Sequence, residues 1–325
     1  MTAPAVLGID TSCYTTSLAL ACGDRLLGEA RRMLPVPEGS RGLRQSEGFY
    51  HHHRHLPELA EELAHTVPEY RSVRAVAYSA APRPVEGSYM PVFTAGEDFA
   101  RTIATVLGVP LIPLTHQEGH IRAASWAAGF DEAEPFLAVH LSGGTTEILA
   151  VRRQGSRYGI TLLGGTRDIS AGMLIDRTGV LMGLRFPAGA AMDAEALAFS
   201  GQPEVYPVSV KAGWTNLSGL ENSARRQFEA IGDIPAVSAA VLSAVTRTVG
   251  KLLQQAMTDT GMNRVLFSGG VSSSGYLRLH LQEKGRLRNM KPAFCPPKYS
   301  VDNAAGIALM GAEMLLDKYA GDSYK

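Results

Sequence analysis

Two histidines four residues apart, His116 and His120, form the most definite chemical pattern in the sequence. They lie in the stretch LIPLTHQEGHIRAA, just after an apolar run that ends at Pro113. On a helix, side chains four positions apart share one face, so both imidazoles can reach a single metal ion. Such a site needs a third protein ligand, and nothing nearby in the sequence supplies one. A hydrogen-bonded or exposed pair of histidines is the alternative interpretation.

The residues between the two histidines argue against a zinc peptidase. The zincin motif places a glutamate directly after the first histidine, where it acts as the general base. That position holds Gln117 here, and an amide cannot act as a base. Glu118 lies one residue further round the helix and is predicted to point to a different side. The pattern therefore permits metal binding but not peptidase chemistry by this route.

Two pairs of glycines follow apolar strands and are candidates for binding an anion. Gly143 and Gly144 lie between two predicted strands, and Gly269 and Gly270 precede a predicted helix. Glycine lets backbone N–H groups approach an anion, and a helix N-terminus adds partial positive charge. An ordinary tight turn is the alternative for each pair. The sequence contains neither a P-loop nor a Rossmann glycine pattern. It therefore gives no indication of either of these nucleotide-binding folds.

Carboxylates near strand ends are further candidates. Asp10 ends the first predicted strand, while Asp176 and Asp193 lie in a later, mainly helical stretch. Such carboxylates can hold a metal–phosphate group or bond sugar hydroxyls, and a helix cap or a solvated charge is the alternative. A second group of histidines falls in residues 35–55, whose Pro, Gly, Arg and His content predicts a loop: His51, His52, His53 and His55.

The elements that must position these residues follow a repeated pattern. The segments AVLGID, TTSLALACG and RLLGEARR read as three strands, and PFLAVHLSGGTTEILAVRRQGSRYGITLLGG repeats this meander from residue 135. Helical periodicity marks LPELAEELAHTV, TAGEDFARTIATVLG and a closing segment, DNAAGIALMGAEMLLDKYA. Residues 168–200 and 218–260 also look mainly helical. Strands alternating with helices predict an α/β protein of two related domains with a cleft between them.

Composition narrows the class of protein. The 325 residues are 45% hydrophobic, enough for two domains with sizeable cores. Lys plus Arg and Asp plus Glu each number 31, so no global field attracts nucleic acid or membrane, and any contact with nucleic acid must be local or shared with a partner. The cysteines are sparse, and they fit a reducing compartment: Cys13, Cys22 and Cys295. No signal peptide or apolar run of membrane-spanning length is evident, so we expect a cytoplasmic protein.

Seven segments, in order along nearly the whole chain, resemble motifs of one family. GIDTSC resembles its opening strand and turn, HQEGH its H-x-E-G-H metal motif, and LSGGTTEIL its S-G-G-H-T hairpin. AGMLIDRTGVLMGLRFPAG resembles A-G-E-x-x-D-K-x-x-x-x-L-G-L-x-Y-P-G-G, and NLSGLENSARR is similar to an F-S-G-L-K segment. SGGVSSSGYLR and SVDNAAGIALMG resemble G-G-V-S-A-N-x-x-L-R and T-D-N-x-x-M-I-A. The chain thus resembles the tRNA N6-threonylcarbamoyladenosine synthase (TsaD-like) family, once labelled O-sialoglycoprotein endopeptidase.

The resemblance implies a fold and a set of site residues. The fold would be two actin-like domains of the actin, Hsp70 and sugar-kinase type, one comprising residues 1–112 with 303–325 and the other residues 113–302. The implied metal ligands are His116, His120 and Asp302. A nucleotide, ATP or an acyl-adenylate, would contact the following residues: His140, Leu141, Ser142, Gly143, Gly144, Asp176, Gly189, Asp193 and Ser274. No catalytic residue is implied.

The resemblance also implies an activity and partners. The family transfers a threonylcarbamoyl group from threonylcarbamoyl-AMP to N6 of adenosine 37 in tRNA, with a divalent metal, iron or zinc. A metal ion would act as Lewis acid and template, and the glycine turns would hold the phosphate. Partners would be related tRNA-modification proteins, TsaB-like and TsaE-like, or a second copy of the chain, with tRNA as substrate and no membrane.

The sequence departs from the family at positions near the implied site. Tyr14 and Thr15 replace an Asp-Glu pair, and Thr145 replaces the histidine of S-G-G-H-T. Three more family residues change: Met173 for Glu, Arg177 for Lys and Ser274 for Asn. Two alternatives to the transferase therefore stay open. One is a nucleotide- and metal-binding paralogue with a scaffolding or regulatory role, and the other is carbamoyl transfer or kinase-like chemistry on another substrate.

Overall fold

The computed structural model describes residues 4–12, 14–35, 43–287 and 289–322. Its strands, in chain order, are β1 (Ala5–Asp10), β2 (Thr15–Cys22), β3 (Arg25–Met33), β4 (Val73–Ala81), β5 (Leu111–Thr115), β6 (Phe136–Leu141), β7 (Thr146–Gln154), β8 (Arg157–Thr166), β9 (Trp214–Thr215), β10 (Arg264–Ser268) and β11 (Lys291–Phe294).

The helices, in chain order, are α1 (Gln45–Thr66), α2 (Val92–Leu107), α3 (His116–Ala127), α4 (Ala171–Leu181), α5 (Gly189–Ala198), α6 (Ser218–Ile231), α7 (Ile234–Thr260), α8 (Gly275–Leu287), α9 (Pro297–Ser300) and α10 (Ala305–Asp322). Short 3-10 helices cover Pro68–Ser72 and Gly270–Ser273.

The described residues form two compact units. Unit 1 lies within Met1–Ala127, Gln154–Tyr158 and Asp302–Lys325, and unit 2 lies within Ala128–Arg153 and Gly159–Val301. Unit 1 contains a sheet in the order β3-β2-β1-β4-β5, and unit 2 contains a sheet in the order β11-β10-β6-β7-β8-β9. In each sheet a three-stranded meander is extended by two parallel strands. The repeat of pattern predicted from the sequence is therefore present in the fold.

The division into units differs from the predicted domain ranges at residues 113–127, at residues 154–158 and at residue 302, which all lie in unit 1. Residues 113–127 lie there because β5 pairs with β4 from Leu111 to Thr115 and because α3 packs closely against α10. The two histidines of α3 and Asp302 consequently belong to the same unit. The cleft expected between the domains stays a prediction.

Residues 45–55 are helical, which corrects the predicted loop. Helix α1 begins at Gln45, and its buried face runs through His52, Leu56, Leu59 and Leu63. This is helical spacing, but a buried histidine does not count as apolar in a periodicity argument. The Nδ1 atom of His52 lies 2.8 Å from the Thr16 hydroxyl, which satisfies one polar atom of the buried ring. The remainder of the predicted loop, residues 36–42, and Cys13 lie outside the described residues.

Helix α7 is the central helix of unit 2. By length and composition alone it could cross a membrane, because its 27 residues include an 18-residue window with a mean hydropathy of 1.3. Because Arg247 and Lys251 lie within the helix, it contains no uncharged apolar run of membrane-spanning length. Moreover, 78% of that window is buried inside the protein. Burial of this extent is typical of a core helix in a folded domain.

Glycines let α10 approach its neighbours in unit 1 at backbone distance. A Cβ atom added at Gly306 would lie 1.9 Å from the carbonyl oxygen of Gly119 in α3. One added at Gly8 in β1 would lie 2.5 Å from the amide nitrogen of Ala308. No side chain fits in such gaps, so these positions require glycine. The contacts fix where the chain preceding α10, including Asp302, meets α3.

Replacing Gly306 by alanine should force α3 and α10 apart. We expect G306A to lower the free energy of unfolding by about 1–3 kcal/mol, the usual cost of overpacking a core. The control is G219A, at an exposed helical glycine where an added Cβ atom meets nothing within 4 Å, and it should raise stability by about 0.4–1 kcal/mol. Urea unfolding measures both. Equal stability of G306A and the wild type would contradict the packing argument.

Asp168 joins the end of β8 to the start of α6 in unit 2. Its Oδ1 accepts from the N–H groups of Ile169 at 2.7 Å and Leu217 at 2.9 Å, and its Oδ2 accepts from the N–H of Ser218 at 2.9 Å. Burial raises the pKa of Asp168, but the hydrogen bonds from Ser218, Leu217 and Ile169 outweigh it and hold the pKa below 3.8.

The stabilisation from Asp168 should depend on pH. Because the folded-state pKa lies below the unfolded value, the contribution is present above about 3.8 and is lost as the pH falls through the folded-state pKa. We therefore expect D168N to be less stable than the wild type at neutral pH, with a difference that shrinks in acid. Urea unfolding over a pH series measures this. D317N, at an exposed position of α10, is the control, and a D168N deficit that is constant with pH would contradict the argument.

Candidate metal centre

The histidine pair lies at a junction between strand and helix that contains no loop. Strand β5 ends at Thr115 and α3 begins at His116. The Thr115 N–H donates to Glu118 Oε2 at 2.8 Å, and the Glu118 N–H donates to Thr115 Oγ1 at 3.3 Å. This reciprocal arrangement is a capping box. Thr115 thus caps α3 and fixes the first turn of the helix that carries both histidines.

Three side chains converge in front of this turn. The Nε2 atom of His120 lies 3.1 Å from Asp302 Oδ1, and the Nε2 atom of His116 lies 3.5 Å from the same oxygen. One potential ligand atom from each residue lies within 4.8 Å of the other two. Among the described residues, no other group of three His, Cys, Asp or Glu side chains meets this condition.

Asp10 orients the first imidazole from behind. This carboxylate at the end of β1 is 1% exposed, and its Oδ2 lies 2.8 Å from His116 Nδ1. The same carboxylate accepts hydrogen bonds from the hydroxyls of Ser12 and Ser79 and from the Ser12 N–H. Because an ionised carboxylate only accepts, His116 donates from Nδ1 and directs Nε2 toward Asp302. A carboxylate behind a ligating histidine is the usual outer-shell support of a metal site.

The cluster favours positive charge. Burial lowers the pKa of His116, but Asp10 and Asp302 outweigh it and raise the pKa to about 10. Burial raises the pKa values of Asp10 and Asp302, yet hydrogen bonds and charge from the histidines hold both below their ordinary value. Two carboxylates are therefore ionised beside two imidazoles, and the resulting field attracts a proton or a cation.

The donor set fits a divalent transition metal ion. Bonds of 2.0–2.2 Å from a tetrahedral ion to nitrogen and oxygen ligands place neighbouring ligand atoms about 3.3 Å apart. The two distances from Asp302 to the imidazoles, 3.1 and 3.5 Å, bracket this value. The side chains of His116 and Asp302 are 18% and 25% exposed, so the site is reached from solvent. Two imidazoles and a carboxylate suit zinc or iron.

Glu118 points away from the histidines, as predicted. Its carboxylate is 2% exposed and contacts Thr115 and Arg157. The helical face shared by His116 and His120 therefore carries no glutamate positioned as a peptidase base. This geometry agrees with the argument against zincin chemistry.

The first glycine pair forms an exposed turn against a helix N-terminus in unit 2. Gly143 and Gly144 connect β6 to β7, and an added Cβ atom at either would meet nothing within 4 Å. The N-cap of α4, Ser170, donates its hydroxyl to the carbonyl of Gly143 at 2.6 Å. At Gly172, by contrast, a Cβ atom would lie 2.6 Å from the Ser142 carbonyl oxygen. The start of α4 is thus locked to the glycine turn.

The second glycine pair packs against the end of β6. Gly269 has φ +88°, and an added Cβ atom would lie 2.2 Å from the carbonyl oxygen of Leu141. Beside it, His140 Nδ1 lies 3.2 Å from the Ser268 hydroxyl. His140, Leu141 and both glycine turns therefore occupy one end of the unit 2 sheet. This part of the predicted nucleotide set forms a contiguous group.

The remaining predicted residues of unit 2 make helix-capping contacts. Asp176 Oδ1 accepts from the N–H of Ala188 at 2.8 Å, at the start of α5, where Gly189 is the first residue. Burial raises the pKa of Asp176. Asp193 accepts from the Ser274 hydroxyl and from the N–H of Gly275 at 2.9 Å, at the start of α8. The helix-cap alternative weighed for these aspartates is therefore realised in the structure.

Sequence reasoning missed the support around the histidines. It named Asp10 as a carboxylate at a strand end but did not connect it to His116, which is 106 positions away. It also missed Ser79, Gly119 and Gly306. A local signal existed for Ser79 and Gly306, since each interrupts an apolar segment, whereas Gly119 lies among polar residues. Their partners are distant in sequence, and only the fold brings them together.

The four histidines of α1 do not form a comparable centre. His52 and His55 each place Nδ1 near the Thr16 hydroxyl, at 2.8 and 3.3 Å. The rings of His51 and His55 lie 6.1 Å apart, against 4.3 Å for His116 and His120. No third ligand joins them among the residues that the structure describes.

Solved structures of low sequence identity share the fold. A full-length HypF in its phosphate- and nucleotide-bound form superposes with a TM-score of 0.62 at 13% identity, covering 97% of this chain and 55% of that one. A ROK family glucokinase from Streptomyces griseus, in complex with glucose and AMPPNP, gives 0.53 at 14% identity, covering 94% and 98%. These neighbours confirm the predicted α/β fold of two actin-like domains.

Sequence comparison identifies the family. A profile described as TsaD, tRNA N6-adenosine threonylcarbamoyltransferase, matches residues 46–309. Curated relatives with that name from Pyrobaculum calidifontis and Methanopyrus kandleri are 30% and 31% identical, each over 94% of this chain and 86% of the relative. One from Aromatoleum aromaticum is 30% identical over 94% of this chain and 90% of the relative. The chain belongs to the tRNA N6-adenosine threonylcarbamoyltransferase family, whose members transfer a threonylcarbamoyl group to tRNA.

Proposed function

We propose that this chain transfers a threonylcarbamoyl group from threonylcarbamoyl-AMP to N6 of adenosine 37 in tRNA, and that it uses a divalent ion held by His116, His120 and Asp302. The observation that carries the proposal is the convergence of these three side chains at ligand distances in a chain of this family. Iron and zinc both suit the donors.

The transfer is an acyl substitution. The N6 amine forms a bond to the carbamoyl carbon, the bond from that carbon to the phosphate oxygen breaks, AMP leaves, and N6 loses a proton. A bound divalent ion supplies Lewis-acid and templating chemistry for such a carbonyl group. The protein's own part is mainly to hold and align the reactants, because alignment alone removes much of the barrier. No residue is assigned as catalytic base.

The acyl-adenylate, or ATP, is proposed to bind the glycine turns of unit 2. Open space at Gly143 and Gly144 lets backbone N–H groups approach a phosphate, and the N-terminus of α4 adds partial positive charge. His140 and Ser142 adjoin this turn. The contacts of Asp176, Asp193 and Ser274 with helix ends give these residues a role in shaping the site, even where they do not touch the nucleotide.

Partners are part of the proposal. The balance of 31 basic and 31 acidic residues provides no general attraction for tRNA, so a partner is proposed to share the binding of tRNA. TsaB-like and TsaE-like proteins, or a second copy of this chain, would fill that role. The setting is cytoplasmic.

A second candidate function rests on the departures from the family pattern. Thr15, which replaces a family carboxylate, is 8% exposed, whereas Tyr14 is 41% exposed. No carboxylate stands at either position. One such function is a scaffolding role for a protein that binds metal and nucleotide, and another is carbamoyl transfer to a different substrate. Either would keep the cluster of His116, His120 and Asp302 without needing the two family carboxylates. The variant Y14D/T15E restores both carboxylates and distinguishes the candidates. It should gain transfer of threonylcarbamoyl to tRNA only if the loss of these carboxylates abolished that activity.

Loss of one ligand should weaken metal binding. We expect H120A and D302N to bind zinc at least 100-fold more weakly than the wild type, because each removes a direct ligand. D10N should lose about 10–100-fold, as is usual for outer-shell support. Competition with a chromophoric chelator measures the affinities. The control is H65A, at an exposed histidine of α1, which should bind as the wild type does, and equal affinity in D302N would contradict the assignment.

Transfer to tRNA should require the same ligands. We expect the wild-type chain, with TsaB-like and TsaE-like proteins added, to transfer the radiolabelled threonylcarbamoyl group of threonylcarbamoyl-AMP to unmodified tRNA. D302N should lose about 100-fold or more in rate, since ion-dependent stabilisation of the carbonyl is worth several kcal/mol. H65A should retain full activity. A wild-type chain that binds metal but transfers nothing to tRNA would refute the transferase and favour the second candidate.

A further inference from the structure

Glu118 is a buried carboxylate between the two histidines in sequence, and its hydrogen bonds join it to Thr115 and Arg157. It is 2% exposed. Its Oε2 accepts from the Thr115 N–H at 2.8 Å and from the Thr115 hydroxyl at 2.9 Å. A buried charge of this kind is costly unless it is paired and hydrogen-bonded, so its presence requires an explanation.

Arg157 supplies the opposite charge. Its Nη1 lies 3.3 Å from Glu118 Oε2 and 3.4 Å from Oε1, and its Nη2 donates to the carbonyl of Pro113 at 2.7 Å. Arg157 is the first residue of β8 and belongs to the segment Gln154–Tyr158 of unit 1. One guanidinium therefore spans the strand–helix junction, from the end of β5 to the first turn of α3.

This junction has no loop that could adjust its geometry. Three N–H groups at this junction have defined acceptors: that of Thr115 donates to Glu118, that of Gln117 to the Pro82 carbonyl at 3.1 Å, and that of Glu118 to the Thr115 hydroxyl. His116 is the first residue of the helix, so any rotation of this turn moves its imidazole directly. His120 follows one turn later and moves with the same helix axis.

We propose that Glu118 and Arg157 are a positioning pair that sets the direction of α3 and thereby holds His116 and His120 at ligand distance from Asp302. The pair acts through the ligands and does not touch the ion. This inference rests on the metal site of the proposed function. It adds two residues whose effect on the ion can be measured without tRNA.

The energetics predict an asymmetry between variants. Removing the guanidinium leaves a buried, uncompensated carboxylate next to the histidines, which is more damaging than removing both charges. Lysine keeps the charge but cannot bridge the carboxylate and the Pro113 carbonyl as a planar fork does. Glutamine at position 118 keeps one oxygen acceptor for the Thr115 N–H. It replaces the second carboxylate oxygen, an acceptor, by an N–H₂ group, a donor.

Cobalt(II) is the probe, because its visible absorption reports both occupancy and coordination geometry. We expect R157M to bind Co²⁺ at least tenfold more weakly than the wild type, with an altered spectrum, in the range of outer-shell effects. R157K and E118Q should show smaller losses, and the double variant E118Q/R157M should recover part of the R157M loss. The control is R101M, which breaks the exposed pair of Arg101 with Glu97 at 2.7 Å and should leave Co²⁺ binding unchanged.

Each outcome decides a different part of the inference. A wild-type affinity and spectrum in R157M would overturn the positioning role while leaving the metal site intact. If R157M fails to fold, wild-type binding by both R157K and E118Q would overturn it in the same way. If the wild-type chain itself binds no Co²⁺, the metal site of the proposed function fails, and the positioning role fails with it.

Discussion

The close contact of α3 with α10 is the constraint on which the site depends. Gly119 and Gly306 approach so nearly that an added Cβ atom would fall 1.9 Å from a carbonyl oxygen. Asp302 lies just before α10, and His116 and His120 lie on α3, so this packing sets the distance between the carboxylate and the imidazoles. Backbone packing therefore brings together polar residues that are far apart in sequence.

Two further sets of contacts hold the histidines in position. Asp10, at the end of β1, orients the His116 ring and is itself held by Ser12 and Ser79. The capping box and Arg157 set the start of α3. The ionised carboxylates of Asp10 and Asp302 thus lie beside two imidazoles in a mostly buried place. This arrangement is stable only with added positive charge. A bound cation and a protonated histidine are two ways to meet the same requirement.

Much of the fold was predictable, because hydrophobic period and turn residues are local signals. The two meanders, the glycine turns and the later helices follow from such patterns, and the shared face of His116 and His120 follows from helical spacing. The N-terminal half of α1 was not predictable, since His52 occupies a core position that periodicity assigns to an apolar residue. Asp302 could be predicted as a ligand only from the family resemblance. The contact between Asp10 and His116 depends on the order of strands in the sheet, which no local sequence pattern encodes.

Binding of one divalent ion in unit 1 by His116, His120 and Asp302 can be examined by anomalous X-ray diffraction from crystals of the zinc-loaded chain, recorded at the zinc edge. We expect a single strong peak within about 2.2 Å of an Nε2 atom of each histidine and a carboxylate oxygen of Asp302. A peak elsewhere, or a peak between the histidines with the Asp302 carboxylate uncoordinated, would contradict it.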